Sequence, residues 1–113
     1  MKLQKEFEIL TAEIAHATFG LTPSQHKKIK GLKRENLRDH MNDLELIFSM
    51  LGEAATTEIV RTEHPRGLGE NKKVAKRGGG VAGLARNKME IETGKKVVNK
   101  DNFLPLLKSG RKD

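Results

Sequence analysis

The chain has 113 residues, a formal net charge of +7 and a charged fraction of 33%, whereas aromatic residues make up only 4% of it. This length suffices for one modest domain, so two independent cores are not expected. The absence of cysteine excludes disulfides and thiolate chemistry, and no apolar run approaches the ~18 residues of a membrane span, so we expect a soluble cytoplasmic protein without membrane contact.

Residues 3 to 18 show the first helical periodicity, because apolar side chains recur there at alternating spacings of four and three. The apolar positions are Leu3, Phe7, Leu10, Ile14 and Ala17. This short stripe predicts a helix that either packs inside the chain or mediates oligomerisation. Gly20 follows and is expected to end the helix.

Residues 22 to 25, Thr-Pro-Ser-Gln, form a helix-start signal. The threonine suits the capping position, the proline the first helical position, and the glutamine can bond back to the cap. The predicted helix covers residues 22 to 31, and only Ile29 and Leu32 are expected to point inward. Its lysines allow two interpretations, a solvated face or a set of phosphate contacts.

The longest apolar periodicity lies between residues 36 and 62 and predicts the central helix. Asn36 or Asp39 is expected to cap it, and its single glycine, Gly52, costs only about 1 kcal/mol relative to alanine. The residues expected to face the core are Met41, Leu44, Ile47, Phe48, Leu51, Ala54, Ala55 and Ile59. All other segments are therefore expected to pack against this helix or to project from it.

A loop is predicted at residues 62 to 69, which contain one proline and two glycines. It allows a helix over residues 70 to 93 to fold back antiparallel to the central helix, with Gly94 at its C-terminal cap. Residues 95 to 98 are β-branched in part and are expected to extend over the surface or to join a strand of another chain. Asn99 or Asp101 is expected to cap a short turn through Phe103 and Leu104 in an irregular tail.

Three consecutive glycines, Gly78 to Gly80, are the difficulty in the last helix, since they cost on the order of 3 kcal/mol in a helix interior. Spacings of four place Ala75, Gly79 and Gly83 in one groove, which the backbone of a second helix can approach closely. We favour a continuous helix with this groove, and a break at 78 to 80 is the alternative.

These segments predict an all-α fold, a small bundle of about four helices with an irregular C-terminal tail. The chain is expected to be a single helical domain over residues 1–113. Residues 1–20 form its N-terminal packing or oligomerisation helix, residues 21–98 its helical core and residues 99–113 its tail. Self-association is expected through the first helix or through the glycine groove.

No motif in the sequence supports catalysis or a cofactor. Gly78, Gly80 and Gly83 match G-x-G-x-x-G, but a dinucleotide site requires a buried strand just before this motif and the chain has none there. The four histidines lack ligand spacing, which argues against a metal site: they are His16, His26, His40 and His64. We therefore expect a non-enzymatic protein without cofactor or metal.

Charge is distributed unevenly along the chain. Residues 41 to 64 contain five acidic residues and one basic residue, whereas residues 65 to 100 contain ten basic and three acidic ones. Either the basic flanks neutralise the acidic helix, or they form a surface for nucleic acid or an acidic protein. The candidate contact residues are Lys72, Lys73, Lys76, Arg77, Arg86 and Lys88, joined by Lys27, Lys28, Lys30 and Arg34.

Two runs resemble a known family: KGLKRENLRDHMNDLELIFSMLGEAATTEI at residues 30 to 59, and ENKKVAKRGGGVAGLARNKMEIETGKKVV at residues 70 to 98. Together they resemble the C-terminal region of the DNA-damage-inducible protein D family and the related BRO-type phage antirepressors. The resemblance implies a regulator of the DNA-damage (SOS) response or of phage induction, with a RecA-type recombinase filament or a repressor protein as partner. It also implies an N-terminal BRO-type DNA-binding domain absent from this sequence, which is expected to be a standalone relative or a fragment.

The leading hypothesis is a regulatory interaction module that acts through protein contacts on a nucleoprotein target. The alternative is sequence-independent binding of duplex DNA through the basic face between residues 72 and 88. A third hypothesis is an oligomerisation segment with no ligand of its own, and in each case a homo-oligomer is expected.

Overall fold

The computed structural model describes residues 2–100, and side chains from residue 4 onward. Its four α-helices are α1 (Lys2–Phe19), α2 (Pro23–Lys30), α3 (Asp43–Glu63) and α4 (Gly67–Thr93), and a 3-10 turn at Leu37–His40 precedes α3. The described part contains no strand, and the predicted all-α class is confirmed. The expected turn through Phe103 lies outside the described residues.

Helices α1 and α3 both pack along α4, the longest helix. Only residues 64–66 separate α3 from α4, so the two run antiparallel as predicted. Helix α1 runs parallel to α4. Glu13 lies beside Lys76, and about one turn later on α1 the Thr18 carbonyl accepts a hydrogen bond from Arg86, which is about three turns later on α4. The short α2 packs on α1 and on the 3-10 turn.

Helix ends follow the local capping signals. Thr22 and Gln25 form the predicted capping box, and Gly20 and Gly94 adopt left-handed conformations with φ of 71° and 70°. The last helix begins at Gly67 rather than at residue 70, because the Arg66 N–H donates to the Glu70 carboxylate at 2.6 Å and gives the helix an earlier start.

The predicted start of the central helix at residue 36 is wrong. Asn42 and Glu45 form a reciprocal capping box that satisfies two backbone donors, and α3 therefore begins at Asp43. Met41 is extended, with ψ of 145°, and separates α3 from the 3-10 turn. Asn36 caps that turn instead, by accepting from the backbone N–H of Arg38.

The buried face of α3 also differs from the prediction. It consists of Glu45, Phe48, Ser49 and Gly52. Ile47 and Met50 lie on the opposite side and are 55% and 57% exposed. Helices α1 and α4 approach α3 at its small residues, since a Cβ at Gly52 would lie 2.6 Å from Thr18 Oγ1 and 3.6 Å from Ala82. Close approach at this glycine, rather than the number of apolar residues, selects the face.

Helix α4 is continuous through its three glycines, as favoured. A Cβ at Gly79 would lie 2.5 Å from the carbonyl oxygen of Ile14, and one at Gly83 would lie 2.5 Å from that of Ala17. Ala75 is 1% exposed. The groove of Ala75, Gly79 and Gly83 therefore holds α1 of the same chain, so the expectation that this groove mediates self-association does not fit the structure.

The apolar core lies at the end of the bundle where α3 begins, and Phe19, Met41, Phe48 and Val97 form its buried cluster. Residues 95–98 were expected at the surface, but Val97 is only 3% exposed. Its N–H donates to the Glu90 carboxylate and its carbonyl accepts from Asn42 Nδ2, so both of its backbone polar groups are satisfied while the side chain enters the core.

Candidate interaction surface

The exposed side of α4 combines cations with large apolar side chains. At 3.6 residues per turn its members occupy a sector of about 80°. We call this set the α4 outer face: Lys73, Arg77, Val81, Leu84, Lys88 and Ile91. Leu84 is 74% exposed and Ile91 is 75% exposed. From first to last residue the face is about 27 Å long, at a rise of 1.5 Å per residue.

The cations of this face differ in their surroundings. Lys73 is exposed and makes no ion pair with another described residue. Arg77 forms two hydrogen bonds to the Glu63 carboxylate on α3, at 2.7 and 2.8 Å. Lys88 pairs with Glu92 at 2.8 Å, one turn along the same helix. Arg77 and Lys88 are therefore partly neutralised, although both side chains stay more than half exposed.

Two further lysines border the face on the side of α1. Lys76 lies 4.0 Å from Glu13, and its side chain is 72% exposed. Lys72 is one turn earlier on the same side and is also exposed. Both remain at the surface, as predicted for contact residues, but they are separated from Lys88 by the apolar side chains of the face.

Two of the predicted contact residues are structural instead. Arg86 donates through Nε to the Thr18 carbonyl at 2.7 Å and through Nη1 to Glu90 at 2.9 Å, and its side chain is 14% exposed. Because Glu90 also accepts from the Val97 N–H, Arg86 joins α1, α4 and the segment after α4. Arg86 therefore satisfies a backbone carbonyl in the last turn of α1 and does not face a partner.

Lys30 is the second predicted contact residue that the structure places in the interior. It is 6% exposed, and its Nζ lies 2.5 Å from Glu45 Oε1. The remaining members of the predicted set stay accessible: Lys28 and Arg34 are exposed and Lys27 is half-buried. They belong to α2 and to the connection that follows it, not to α4.

Sequence reasoning missed a buried polar cluster around Glu45, which is fully buried. One carboxylate oxygen accepts from the Asn42 N–H and pairs with Lys30, and the other lies 2.8 Å from His26 Nε2. The His26 ring also packs edge-on against Phe19. The cluster fixes α2 to the start of α3, and it explains why His26 and Lys30, rather than Ile29, point inward.

Two signals in the sequence could have located this cluster. Asn42 and Glu45 have the spacing of a capping box, which places the glutamate at a helix start. His26 and Lys30 are four apart and share one face of a short helix.

A cleft of about 250 Å³ adjoins His26 between α1, α2 and α3. Ser49 also lines this cleft, but its hydroxyl lies 3.5 Å from Met41 Sδ and is not paired with His26.

The ion pair between Arg77 and Glu63, at the edge of the α4 outer face, affects the pKa of Glu63. The Arg77 guanidinium holds the pKa of Glu63 below its ordinary value of 4.5, chiefly through its hydrogen bonds. Arg77→Gln should return the pKa of Glu63 to that value in a carbon-detected NMR titration. The pair stabilises the fold above the unfolded-state pKa, and this contribution is lost as the pH falls through the folded-state pKa.

Arg61→Gln is the matched control for this titration. Arg61 lies 3.7 Å from Glu58 on the same helix, whereas Glu63 pairs with Arg77. The control should leave the pKa of Glu63 low, and an unchanged pKa in Arg77→Gln would contradict the assigned cause.

Between residues 2 and 100, no three His, Asp or Glu side chains are grouped as metal ligands. None of the helices described is long and apolar enough to cross a bilayer.

No protein-family model, curated protein or solved structure matches the chain. The family resemblance therefore rests on the two residue runs alone.

Proposed function

We propose that this chain is a regulatory interaction module that binds a protein surface through the α4 outer face. The observation that carries the proposal is the three-quarters exposure of Leu84 and Ile91 beside cations on one side of α4. Large apolar side chains contribute little to phosphate contacts, whereas an apolar centre with a charged rim is the usual composition of a protein interface.

The chemistry of the face defines the partner. Lys73, Arg77 and Lys88 favour a surface that carries carboxylates, and Leu84 and Ile91 favour an apolar patch beside those carboxylates. The resemblance suggests where such a surface occurs: on a RecA-type recombinase filament or on a repressor protein. The proposed activity is accordingly non-enzymatic regulation of a nucleoprotein complex in the DNA-damage response or in phage antirepression.

The proposal is tested by binding of a RecA-type filament, assembled on single-stranded DNA, to the immobilised chain. Leu84→Gln combined with Ile91→Gln should weaken this binding at least about tenfold, since two exposed apolar contacts at an interface centre are together worth more than about 1.4 kcal/mol. Undiminished binding by this double variant would exclude the α4 outer face as the contact surface. Failure of the unchanged chain to bind the filament would contradict the partner assignment.

Duplex DNA binding is the second candidate, because Lys72 and Lys73 are exposed and neither is ion-paired with a described residue. The combined variant Lys72→Gln, Lys73→Gln and Lys76→Gln should weaken binding of a random duplex and reduce its salt slope by about 3. The control is Lys5→Gln, Lys33→Gln and Lys100→Gln, which removes the same charge from other exposed positions. If the unchanged chain does not bind duplex at about 50 mM salt, this candidate is excluded.

A further inference from the structure

The side of α3 that faces away from the core carries an apolar stripe. We call it the α3 stripe: Ile47, Met50, Leu51 and Ala54, spaced by three and four residues. Ile47 is 55% exposed, Met50 57% and Leu51 37%. No residue between 2 and 100 buries this stripe, which lies opposite the buried Glu45, Phe48, Ser49 and Gly52.

After α4 the chain passes beside the start of α3, near the N-terminal end of the α3 stripe. Asn42, which caps α3, donates through Nδ2 to the Val97 carbonyl at 3.2 Å and to Asn99 Oδ1 at 3.3 Å. A cleft of about 430 Å³ lies here, with Leu44 and Asn99 in its lining. Leu44 and Ile47 are three residues apart on the same helix, so Leu44 lies between the cleft and the α3 stripe.

The residues that follow have the composition to cover the stripe. Residues 103–107 read Phe-Leu-Pro-Leu-Leu, four large apolar side chains within five positions. An extended chain from residue 101 to residue 107 reaches about 23 Å. The far end of the stripe, Ala54, is about 18 Å along α3 from Asn42. The segment is therefore long enough to follow the whole stripe.

The charges that follow residues 103–107 also favour a course of this segment along α3 from Asn42 toward Glu58. Lys108, Arg111 and Lys112 follow the apolar run. Beyond Ala54, the next turn of α3 carries Glu58, whose side chain is 73% exposed. Glu58 also lies 3.7 Å from Arg61, but it stays exposed, and a segment that starts at Asn42 and runs along α3 brings its basic end close to this carboxylate.

We propose that residues 103–107 dock on the α3 stripe of their own chain. The docked segment places its apolar side chains on Ile47, Met50 and Leu51, and its lysines and arginine lie beside Glu58. This surface is separate from the α4 outer face, so the inference does not depend on the proposed function.

Oxidation of Met50 in the full chain tests the docking, because peroxide converts accessible methionine to the sulfoxide, which mass spectrometry detects. Phe103→Ser combined with Leu104→Ser, Leu106→Ser and Leu107→Ser should make Met50 oxidation at least about threefold faster than in the unchanged chain. Met41, which is 6% exposed in the core, is the internal control and should react at the same rate in both. Equal Met50 rates in the two chains would overturn the proposal.

A disulfide trap gives a second readout, and the lack of native cysteine makes it free of competing thiols. Met50→Cys with Leu106→Cys should form a bond within one chain under mild oxidation, since bonding requires the two Cα atoms to lie within about 7 Å. Lys73→Cys with Leu106→Cys is the matched control and should form it at least about tenfold more slowly. Equal rates for the two pairs, or covalent dimers in place of cross-linked monomers, would show that the segment does not dock within its own chain.

Discussion

Glu45→Gln should lower the free energy of unfolding by about 3 to 5 kcal/mol, the usual cost of removing one partner of a buried ion pair. The Lys30 ammonium is 6% exposed and lies 2.5 Å from the Glu45 carboxylate, so the substitution removes a negative charge from the side of a buried positive one. Glutamine keeps an oxygen acceptor for the Asn42 N–H, which preserves the capping geometry. The measurement is equilibrium unfolding in urea.

Glu53→Gln is the matched control, because it removes the same charge from the same helix. Glu53 pairs with Arg38 in an exposed position, where such a pair is worth about 0.2 to 1 kcal/mol. Adding Lys30→Met to Glu45→Gln should restore a large part of the lost stability, since the buried ammonium is then removed together with the carboxylate. Equal losses for Glu45→Gln and Glu53→Gln would show that the buried cluster has no special role.

Gly79→Ala and Gly80→Ala should have opposite effects, although the two residues are neighbours in one helix. A methyl group at Gly79 meets the Ile14 carbonyl oxygen at 2.5 Å and Ala17 Cβ at 2.7 Å, so α1 must move away from α4. We expect a loss of about 1 to 3 kcal/mol, the usual cost of overpacking. Gly80 has no atom within 4 Å of such a methyl, and its replacement should stabilise the helix by about 0.5 to 1 kcal/mol.

Thermal unfolding measures both variants, with a shift of roughly 4 °C per kcal/mol for a domain of this size. Gly78→Ala extends the comparison to α3, because its methyl would lie 2.5 Å from the Cα of Thr56, a backbone atom that cannot turn aside. The midpoint should therefore rise for Gly80→Ala and fall for the other two. A rise in all three would contradict the close approach of α1 and α3 to α4.

Some features of this protein could be predicted because their causes are local. The capping box of Thr22 and Gln25 and the left-handed glycines at 20 and 94 depend on residues within one turn of each other. The antiparallel return of α4 follows from a short connection. The exposure of Lys72, Lys73 and Lys76 follows from the cost of burying an unpaired charge.

The fate of Lys30 and Arg86 could not be predicted in this way. In the folded state the buried Lys30 pairs with Glu45, a carboxylate distant in the chain. Arg86 pairs with Glu90 one turn along its own helix and donates to the Thr18 carbonyl of α1. A basic run in the sequence looks the same whether its members contact a partner or another segment of the chain. The predicted contact residues therefore divide between exposed positions and buried ion pairs, and the exposure of Leu84 and Ile91 on α4 was not predicted.

By itself, the sequence determined that this chain is helical and where most of its helices end, because periodicity and capping act over a few residues. Only the tertiary structure decided that α3 turns Glu45 and Gly52 inward and leaves Ile47 and Met50 outside. The physical reason is that helices pack where their backbones can come close, and glycines on α3 and α4 permit that approach at positions which hydrophobicity alone does not mark.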